Sequence, residues 1–545
     1  MSERSPDLTH LPDLHRKPEH GPVRSRRPIY QDLLPPCNHA CPAGEPIQGW
    51  LALAQSGHYR EAWELLVQAN PFPAIHGRVC YHPCESSCNR DRLDGSVSIH
   101  SVERFLGDLA IEQGWPLPPG APASGGHKVL VIGAGPSGLS AAYHLRRLGH
   151  EVLVRDAGPV AGGMMHFGIP AYRLPRTILD AEVARLVTMG VAFEFNHRVE
   201  QLDAEWRDGG FAAVFAAVGA HLSKRAALPA CDAGRMLDAV SFLRDVEAGA
   251  PPRLGRRVAV YGGGNTAMDA ARTALRLGHE PLIIYRRDRE HMPAHDFEAT
   301  EAIEEGVQIH WLRSIAGLSD GTVTVEVMAL DANGRAVGTG KFETIDADHL
   351  ILALGQDSDT GFLRGVEGVV FTDDGAVVVD AGMMTGRPGL FAGGDMVPAE
   401  RSVTYAVGHG ATAARHIDAF LRQQPAAIGT PPPLATFEKL HLWFYTDVAH
   451  RPQGRASIDE RRNTFGEVVQ GLDEPAARFE ASRCLSCGTC FECDGCYAAC
   501  PEDAVIKLGP GRRYEIDYGK CTGCAICFEQ CPCHAISMVR EPSAP

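Results

Sequence analysis

The period of the apolar positions changes several times along the chain, and each change marks an element. Residues 1–30 are polar, proline-containing and aperiodic, which predicts a flexible arm. From Gln48 to Leu66, and again from Val102 to Ile111, apolar residues recur at helical spacing, so residues 31–118 read as a small helical domain. The Pro/Gly/Ser stretch from Pro116 to Gly126 reads as a linker. Next, Lys128-Val129-Leu130-Val131-Ile132 has the length and apolarity of a buried parallel strand, and it opens into Gly133-x-Gly135-x-x-Gly138 and an alanine-rich helix. The arrangement returns at Val258-Ala259-Val260-Tyr261 followed by Gly262-x-Gly264-x-x-Ala267. After His416 the pattern weakens, and Gln424 to Leu434, with its prolines, reads as a second linker. Between Leu440 and Leu472 the triplet Trp443-Phe444-Tyr445 is expected to pack between domains rather than to meet a partner.

Composition narrows the class. A chain of 545 residues with 44% hydrophobic content suggests several domains at about 100 to 200 residues each. Its net charge of −15 argues against a nucleic-acid partner, which would demand clustered Lys and Arg. No stretch approaches the ~20 apolar residues of a membrane span, and the first residues lack a signal-peptide core, so no membrane and a cytoplasmic location are expected. An odd count of 17 cysteines would also be awkward for a secreted disulfide framework.

All the cysteines but Cys231 crowd the two ends of the chain. The distal group reads Cys490-x2-Cys493-x2-Cys496-x3-Cys500-Pro501, then Cys521-x2-Cys524-x2-Cys527-x3-Cys531-Pro532. In this two-cluster ferredoxin spacing each triplet wraps one 4Fe-4S cube and the fourth cysteine reaches the other. Cys490, Cys493, Cys496 and Cys531 are thus expected to hold one cube, and Cys521, Cys524, Cys527 and Cys500 the second. Zinc is the alternative that C-x2-C pairs leave open, but it does not call for two full copies each closed by Cys-Pro.

Each glycine-rich turn places a backbone cradle at a helix N-terminus, the arrangement that accepts a pyrophosphate. After the first, strand Glu151-Val152-Leu153-Val154 leads to Asp156, placed to accept ribose hydroxyls. After the second, Leu282-Ile283-Ile284-Tyr285 leads instead to Arg286-Arg287, which suits a 2′-phosphate and favours NADPH over NADH. A later strand ending in Gly393-Gly394-Asp395 can hydrogen-bond the ribityl chain of FAD, so the first cradle is assigned FAD and its domain is expected to be discontinuous. The expected fold class is multi-domain α/β: a helical N-terminal iron–sulfur module, two Rossmann-like nucleotide-binding domains and a C-terminal α+β ferredoxin-like domain. The expected boundaries are 127–250 and 346–421 for FAD, 251–345 for NAD(P)H, 422–482 for a linker and packing segment, and 483–545 for the ferredoxin.

Residues Gly133 to Ala142, Gly163-x4-Gly168-Ile169-Pro170-x2-Arg173-Leu174, Gly262 to Asp269, Tyr285-Arg286-Arg287-x3-His291-Met292-Pro293-Ala294 and Ala392 to Asp395 resemble the small subunit of NADPH-dependent glutamate synthase. The same stretches are similar to the N-terminal half of dihydropyrimidine dehydrogenase, and the match runs from about Pro36 to Leu421. The resemblance implies a flavoprotein of the disulfide-reductase type. FAD would lie at Gly133, Gly135, Gly138, Asp156, Gly163, Gly394 and Asp395, and NAD(P)H at Gly262, Gly264, Asn265, Ala267, Arg286 and Arg287. It also implies an N-terminal module with two 4Fe-4S clusters, a non-cysteine ligand at Glu103, and an Arg-Cys-x-x-Cys pair ahead of Cys37-x3-Cys41-Pro42. Here that pair is missing, which leaves Cys37, Cys41, Cys80, Cys84, Cys88 and Glu103. Arg483-Cys484-Leu485-Ser486-Cys487 resembles the absent segment. The expectation is that Cys484 and Cys487 join Cys37 and Cys88, while Cys41, Cys80 and Cys84 join Glu103. The alternative is one N-terminal cluster with Cys484 and Cys487 uninvolved. Cys231 and Cys533 are left over either way.

Flavin takes a hydride pair and releases single electrons, so no general acid, nucleophile or catalytic residue is called for, and His166, His291 and His295 are read as ordinary packing or surface groups. The expected function is electron transfer between NAD(P)H and a redox partner protein or catalytic subunit through FAD and 4Fe-4S clusters. The C-terminal ferredoxin resembles the exit port of the electron-exchange subunits of 2-oxoacid oxidoreductases and of the flavoprotein working with dissimilatory sulfite reductase. A glutamate synthase small subunit and a non-catalytic electron-wiring module are the alternatives, and a homo-oligomer is compatible with each.

Overall fold

The computed structural model describes residues 24–120, 125–224, 236–319, 321–426 and 429–542. The chain divides into two compact units, one of residues 1–36, 431–448 and 485–545, the other of residues 37–430 and 449–484. Residues 1–23 of the expected arm and Cys231 lie outside the described residues.

The larger unit opens with the helical domain. Its expected first run is two helices, Ile47–Gln55 and Tyr59–Leu66, parted at Ser56-Gly57. They pack with Pro73–Val79 and Ile99–Glu112 around Trp50, Trp63, Leu66, Phe72 and Leu106, which are wholly buried.

Two parallel sheets follow. The first has the order Leu390–Ala392, Ala213–Ala216, Lys128–Ile132, Glu151–Arg155, Ala192–Glu194. Val129, Leu130 and Val131 are shielded on both faces, as their unbroken apolar run requires, and each such burial stabilises by roughly 1.5–3 kcal/mol. Leu390–Ala392 pairs with Ala213–Ala216 only after the chain has built the whole second sheet, so the first nucleotide domain is discontinuous. The second sheet runs Gln308–Trp311, Glu280–Tyr285, Arg257–Tyr261, His349–Leu352, Met236–Asp238. Its outer members correct the expected limits of 251–345, because Met236–Asp238 and His349–Leu352 belong to it. An antiparallel sheet of Arg313–Ser319, Thr322–Leu330 and Ala336–Asp346 is appended.

The smaller unit corrects two further boundaries. Arg26–Tyr30, expected as the end of a loose arm, is a strand paired antiparallel with Ile536–Arg540. Arg24 anchors it by donating to Glu541 at 2.6 and 2.8 Å. The segment 422–482, expected as one linker, is shared: 431–448 belongs to the smaller unit, whereas 449–484, with helices Ile458–Asn463 and Glu474–Ser482, belongs to the larger. Trp443, expected to pack, is 63% exposed, and Phe444, 42% exposed, meets the ring of Phe491 edge-on at 5.8 Å. The remainder of the smaller unit is a twofold repeat of short helices, Gly495–Ala499 and Ile526–Glu529, with the hairpin Val505–Lys507 and Tyr514–Ile516 between them. The whole is a multi-domain α/β protein with an α+β ferredoxin-like unit.

Candidate functional site

The first cradle is fixed by crowding on one side and openness on the other. At Gly133 (φ +107°) a Cβ would stand 2.3 Å from the Ala217 carbonyl oxygen, so only glycine fits where the strand turns into its helix. A Cβ on Gly138 would lie 1.9 Å from the Gly133 oxygen, so the helix Pro136–Arg147 sits directly on the turn. By contrast, Gly135, the N-cap, has nothing nearer than the Gly163 Cα at 4.0 Å. The first-turn N–H groups and the positive end of the helix therefore face open space. Asp156 stands at the rim, accepting from Ala134 N and Gly158 N, both at 2.6 Å. Gly394 follows strand Leu390–Ala392 and donates its N–H to His409 Nδ1 at 3.2 Å, which fixes the turn bearing Asp395. Burial raises the Asp395 carboxyl to about 6, against the pull of Arg401. Helix-end amides, two carboxylates and a wall-free middle glycine fit an FAD pyrophosphate, ribose and ribityl chain.

The second cradle repeats the design. Gly262 (φ +149°) faces the Ala353 oxygen at 2.2 Å, as Gly133 faces that of Ala217, and Gly264 has no atom within 4 Å where a Cβ would stand. Ala267 replaces the third glycine and is buried in the helix Asn265–Arg276. Past the strand Glu280–Tyr285, Arg286 is exposed, and Arg287 donates to the Tyr285 hydroxyl at 2.9 Å. No acid stands where Asp156 stands in the first domain, so the donor set suits a phosphate rather than a free ribose.

The spacing of motifs gave no sign of the role of Tyr81. Directly after Cys80, its hydroxyl accepts from Asn265 Nδ2 at 2.7 Å, and its ring stacks on His295 with centroids 3.8 Å apart. His295 in turn donates its backbone N–H to Asn265 Oδ1 at 3.1 Å. A residue of the helical domain thus touches the first residue of the second cradle's helix, and the only local signal was an aromatic beside a candidate metal ligand. His166 and His291 have no such link; His291 pairs with Asp288 at 2.7 Å on the surface.

The N-terminal cysteines converge in the larger unit. Cys37 and Cys84 belong to its main buried cluster, and Cys41, Cys88 and Cys484 pack against that cluster. Burial, then Glu45, pushes the Cys41 thiol well up; burial pushes Cys80 up to about 11, and burial, then Glu85, Cys80 and Cys41, raises Cys84. Glu103, buried on Ile99–Glu112, accepts from Asn70 at 2.8 Å beside Glu45 and His76. Its carboxyl is raised by burial, then by Glu45 and Cys80. Cys41, Cys80 and Cys84 are all raised by burial and by the nearby Glu45, while Cys88 is raised by burial with Glu85 adding to it. Buried thiols and a buried carboxyl suit a metal centre, which takes them as anions and displaces their protons.

In the smaller unit cysteines of both expected sets lie close together. Cys496, Cys527 and Cys531 share one buried cluster, with Cys490 and Cys500 packed against it; Cys500 also packs against Cys521. Cys531 influences Cys490, Cys493 and Cys496. Ala535 N donates to Cys531 Sγ at 3.2 Å and Ala504 N to Cys500 Sγ at 3.3 Å, matching N–H···S contacts of the two repeats. Tyr30, from the expected arm, has its hydroxyl 3.1 Å from Cys496 Sγ. Cys533 lies 3.8 Å from Cys531 Sγ and lowers that thiol to about 7. Cys524 is exposed. Cys487 falls in this unit and Cys484 in the larger one.

Residues 127–410 match the family profile described as pyridine nucleotide-disulphide oxidoreductase. Residues 29–115 match dihydropyrimidine dehydrogenase domain II, 4Fe-4S cluster, and residues 514–537 match the 4Fe-4S binding domain. The NADP(+)-dependent formate dehydrogenase subunit beta of Moorella thermoacetica is 37% identical over 83% of this chain and 70% of its own length. The NADPH-Fe(3+) oxidoreductase subunit beta of Geobacter sulfurreducens is 31% identical over 83% of this chain and 75% of its own. The glutamate synthase [NADPH] small chain of Azospirillum brasilense is 35% identical over 72% and 88% respectively. Among the described residues no helix is long and apolar enough to cross a membrane.

Proposed function

Since the chain belongs to the pyridine nucleotide-disulphide oxidoreductase family and is an NAD(P)H-dependent FAD/iron–sulfur oxidoreductase, we propose that it is the electron-exchange subunit of a larger redox complex and that its nucleotide is NADPH. The observation that carries the reading is the pair of cradles in one unit, of which one ends at Asp156 and the other at Arg286-Arg287. Gly135 and the helix it caps hold the FAD pyrophosphate, with Asp156 at the ribose and Asp395 at the ribityl chain. Gly264 and Asn265 receive the NADPH pyrophosphate, and Arg286 with Arg287 receives the 2′-phosphate. When bound, the flavin accepts a hydride and passes electrons on singly. The protein's part is to align the two rings, exclude water and hold the clusters that take the electrons.

Three relatives whose names carry NADP or NADPH support the nucleotide choice, and the word subunit or chain in each name supports a partner. The class of partner is a low-potential metalloenzyme of the 2-oxoacid oxidoreductase or dissimilatory sulfite reductase kind. The glutamate synthase relative favours a second reading, the small subunit of such an enzyme, but a ferredoxin unit is better suited to one-electron exchange with a protein. Anaerobic titration of the purified chain tests the proposal. NADPH is expected to bleach the flavin band and then the broad cluster absorbance at much lower concentration than NADH. A response to NADH alone would refute the nucleotide choice, and bleaching by neither would point to the wiring module.

A further inference from the structure

The strand Arg26–Tyr30 is tied to the ferredoxin repeat at each step, and it ends on a hydroxyl that meets sulfur. Arg24, just ahead of it, donates to Glu541, to the Cys521 carbonyl at 2.8 Å and to the Tyr518 carbonyl. The Arg27 guanidinium lies over the Tyr518 ring, 4.7 Å from its centroid, and the Tyr518 hydroxyl donates to the Pro28 carbonyl at 2.9 Å. Tyr30 is in register with Ile536, Gln31 N donates to the Ala535 carbonyl at 3.0 Å, and the Tyr30 ring stacks on Tyr514 with centroids 6.3 Å apart. The ring is thereby packed against both buried groups that contain ferredoxin cysteines. Phenylalanine would fill that place equally well, so packing does not account for the hydroxyl. Its partner is Cys496 Sγ, at 3.1 Å.

A cysteine bound to iron is a thiolate with no proton to give, so in this pair the phenol O–H is the donor. The same reasoning applies 3.8 Å from Cys531 Sγ, where Cys533, 2% exposed and left over by the ligand count, turns its S–H on the sulfur. The backbone does not distinguish the two cubes, since Ala535 N donates to Cys531 Sγ at 3.2 Å and Ala504 N to Cys500 Sγ at 3.3 Å. The side chains do. Cys496 and Cys531 fall in one expected set, and among the described residues no hydroxyl or spare thiol stands in this way at Cys500, Cys521, Cys524 or Cys527. Hydrogen bonds to cluster sulfur are one of the levers that set a cluster's potential, because they stabilise the added negative charge of the reduced state. We propose that Tyr30 and Cys533 raise the reduction potential of the cube held by Cys490, Cys493, Cys496 and Cys531, so that the strand Arg26–Tyr30 serves electron transfer as well as the fold. Both act through the ligand they touch, as positioning residues. The one electron comes, on the proposed route, from NADPH by way of the flavin, and the hydroxyl and thiol protons stay on their own oxygen and sulfur. The inference rests on the ligand sets expected for the ferredoxin unit and not on the choice of nucleotide or partner.

Iron–sulfur midpoints are read on the full chain, purified without oxygen, by dithionite titration with electron paramagnetic resonance. In Tyr30→Phe the midpoint of one cube is expected to fall by about tenfold in its reduction equilibrium, which is about 59 mV for one electron, while the others keep theirs. Cys533→Ala should lower the same midpoint by less, because S–H is the weaker donor, with the iron content unchanged in both variants. An unmoved midpoint in Tyr30→Phe, or two variants that shift different cubes, overturns the proposal. If Tyr30→Phe loses iron, the ring is kept and 3-fluorotyrosine, a stronger hydrogen-bond donor, is incorporated at position 30. The same midpoint should then rise, and no rise overturns the proposal. Iron content and the number of reduced-cube signals in the unaltered chain report separately on the ferredoxin reading. Both C-terminal cubes present, with midpoints indifferent to both substitutions, would sink this inference alone.

Discussion

Asp156 and Arg286 occupy equivalent places, each just past the second strand of its nucleotide domain, and on the proposed reading their opposite charges assign FAD to one cradle and NADPH to the other. A 2′-phosphate on two guanidiniums gains charge-assisted hydrogen bonds worth about 1.5–3 kcal/mol each, and NADH has nothing to place there. Arg286→Ala/Arg287→Ala is therefore expected to raise KM for NADPH by roughly tenfold or more while leaving KM for NADH and both kcat values nearly unchanged, measured with a dye acceptor. Gly133 gives the matching expectation for the flavin. Since a Cβ would meet the Ala217 carbonyl at 2.3 Å, Gly133→Ala should be purified with little FAD, as its absorbance spectrum will report. These residues were legible because a fingerprint is local: its glycines and its terminal charge lie within one strand–turn–helix. Tyr81 and Tyr30 were not, because Asn265 and Cys496, the atoms that give them meaning, stand far away in sequence. The expectation of a ligand at Glu103 rests on resemblance alone, since nothing in its spacing separates a ligand from a buried helix carboxylate.

Whole elements are held by charges that the apolar pattern does not register. Glu305, wholly buried, accepts from Arg272 and Arg276 of helix Asn265–Arg276 and from Arg461 of helix Ile458–Asn463, and so clamps the segment 449–484 to the second nucleotide domain. Glu305→Gln takes its counter-charge from the buried Arg276 and one of two from Arg272 and Arg461, which keep Glu301 and Glu304 at 3.0 Å, and is expected to cost about 3–5 kcal/mol, read as a fall in the thermal midpoint of the FAD-loaded protein. A second element contact depends on pH. His144, on helix Pro136–Arg147, bonds through Nε2 to the Ala69 carbonyl at 3.1 Å, and burial lowers its pKa to about 3. In the unfolded chain the ring titrates near about 6.5, so its contribution is complete above that pH and drains away as pH falls from there toward about 3. His144→Gln should flatten that part of the stability profile, as denaturant midpoints at pH 7 and pH 5 will check. Elements with a clear period, Lys128–Ile132 or Ile99–Glu112, stood out in the sequence. The three-residue strand Met236–Asp238 did not, because it is too short to show a period. Arg26–Tyr30 became a strand only through its distant partner Ile536–Arg540, against local polarity that favours a loose arm.

At the scale of the whole molecule, both nucleotide cradles fall in the larger compact unit and the doubled ferredoxin motif in the smaller, so the proposed function puts hydride chemistry in one and one-electron exit in the other. The smaller unit carries the features of an exit: Cys524 is exposed, and Tyr497 and Ile526, each beside a cluster cysteine, are 48% and 37% exposed. A chain of net charge −15 also draws basic proteins toward it, with a rate that falls as salt screens the field. Cytochrome c, a basic one-electron acceptor, is therefore a suitable probe. Cys524→Ala should destroy one C-terminal cube and leave the flavin-bearing unit intact. In stopped-flow mixing with NADPH, the variant is expected to bleach its flavin as fast as the unaltered protein, because that step takes place between the two cradles. Reduction of cytochrome c should fall by an order of magnitude or more. Equal cytochrome c rates in the two proteins would mean that electrons leave from the larger unit, and the ferredoxin would then have to be an entry or a store.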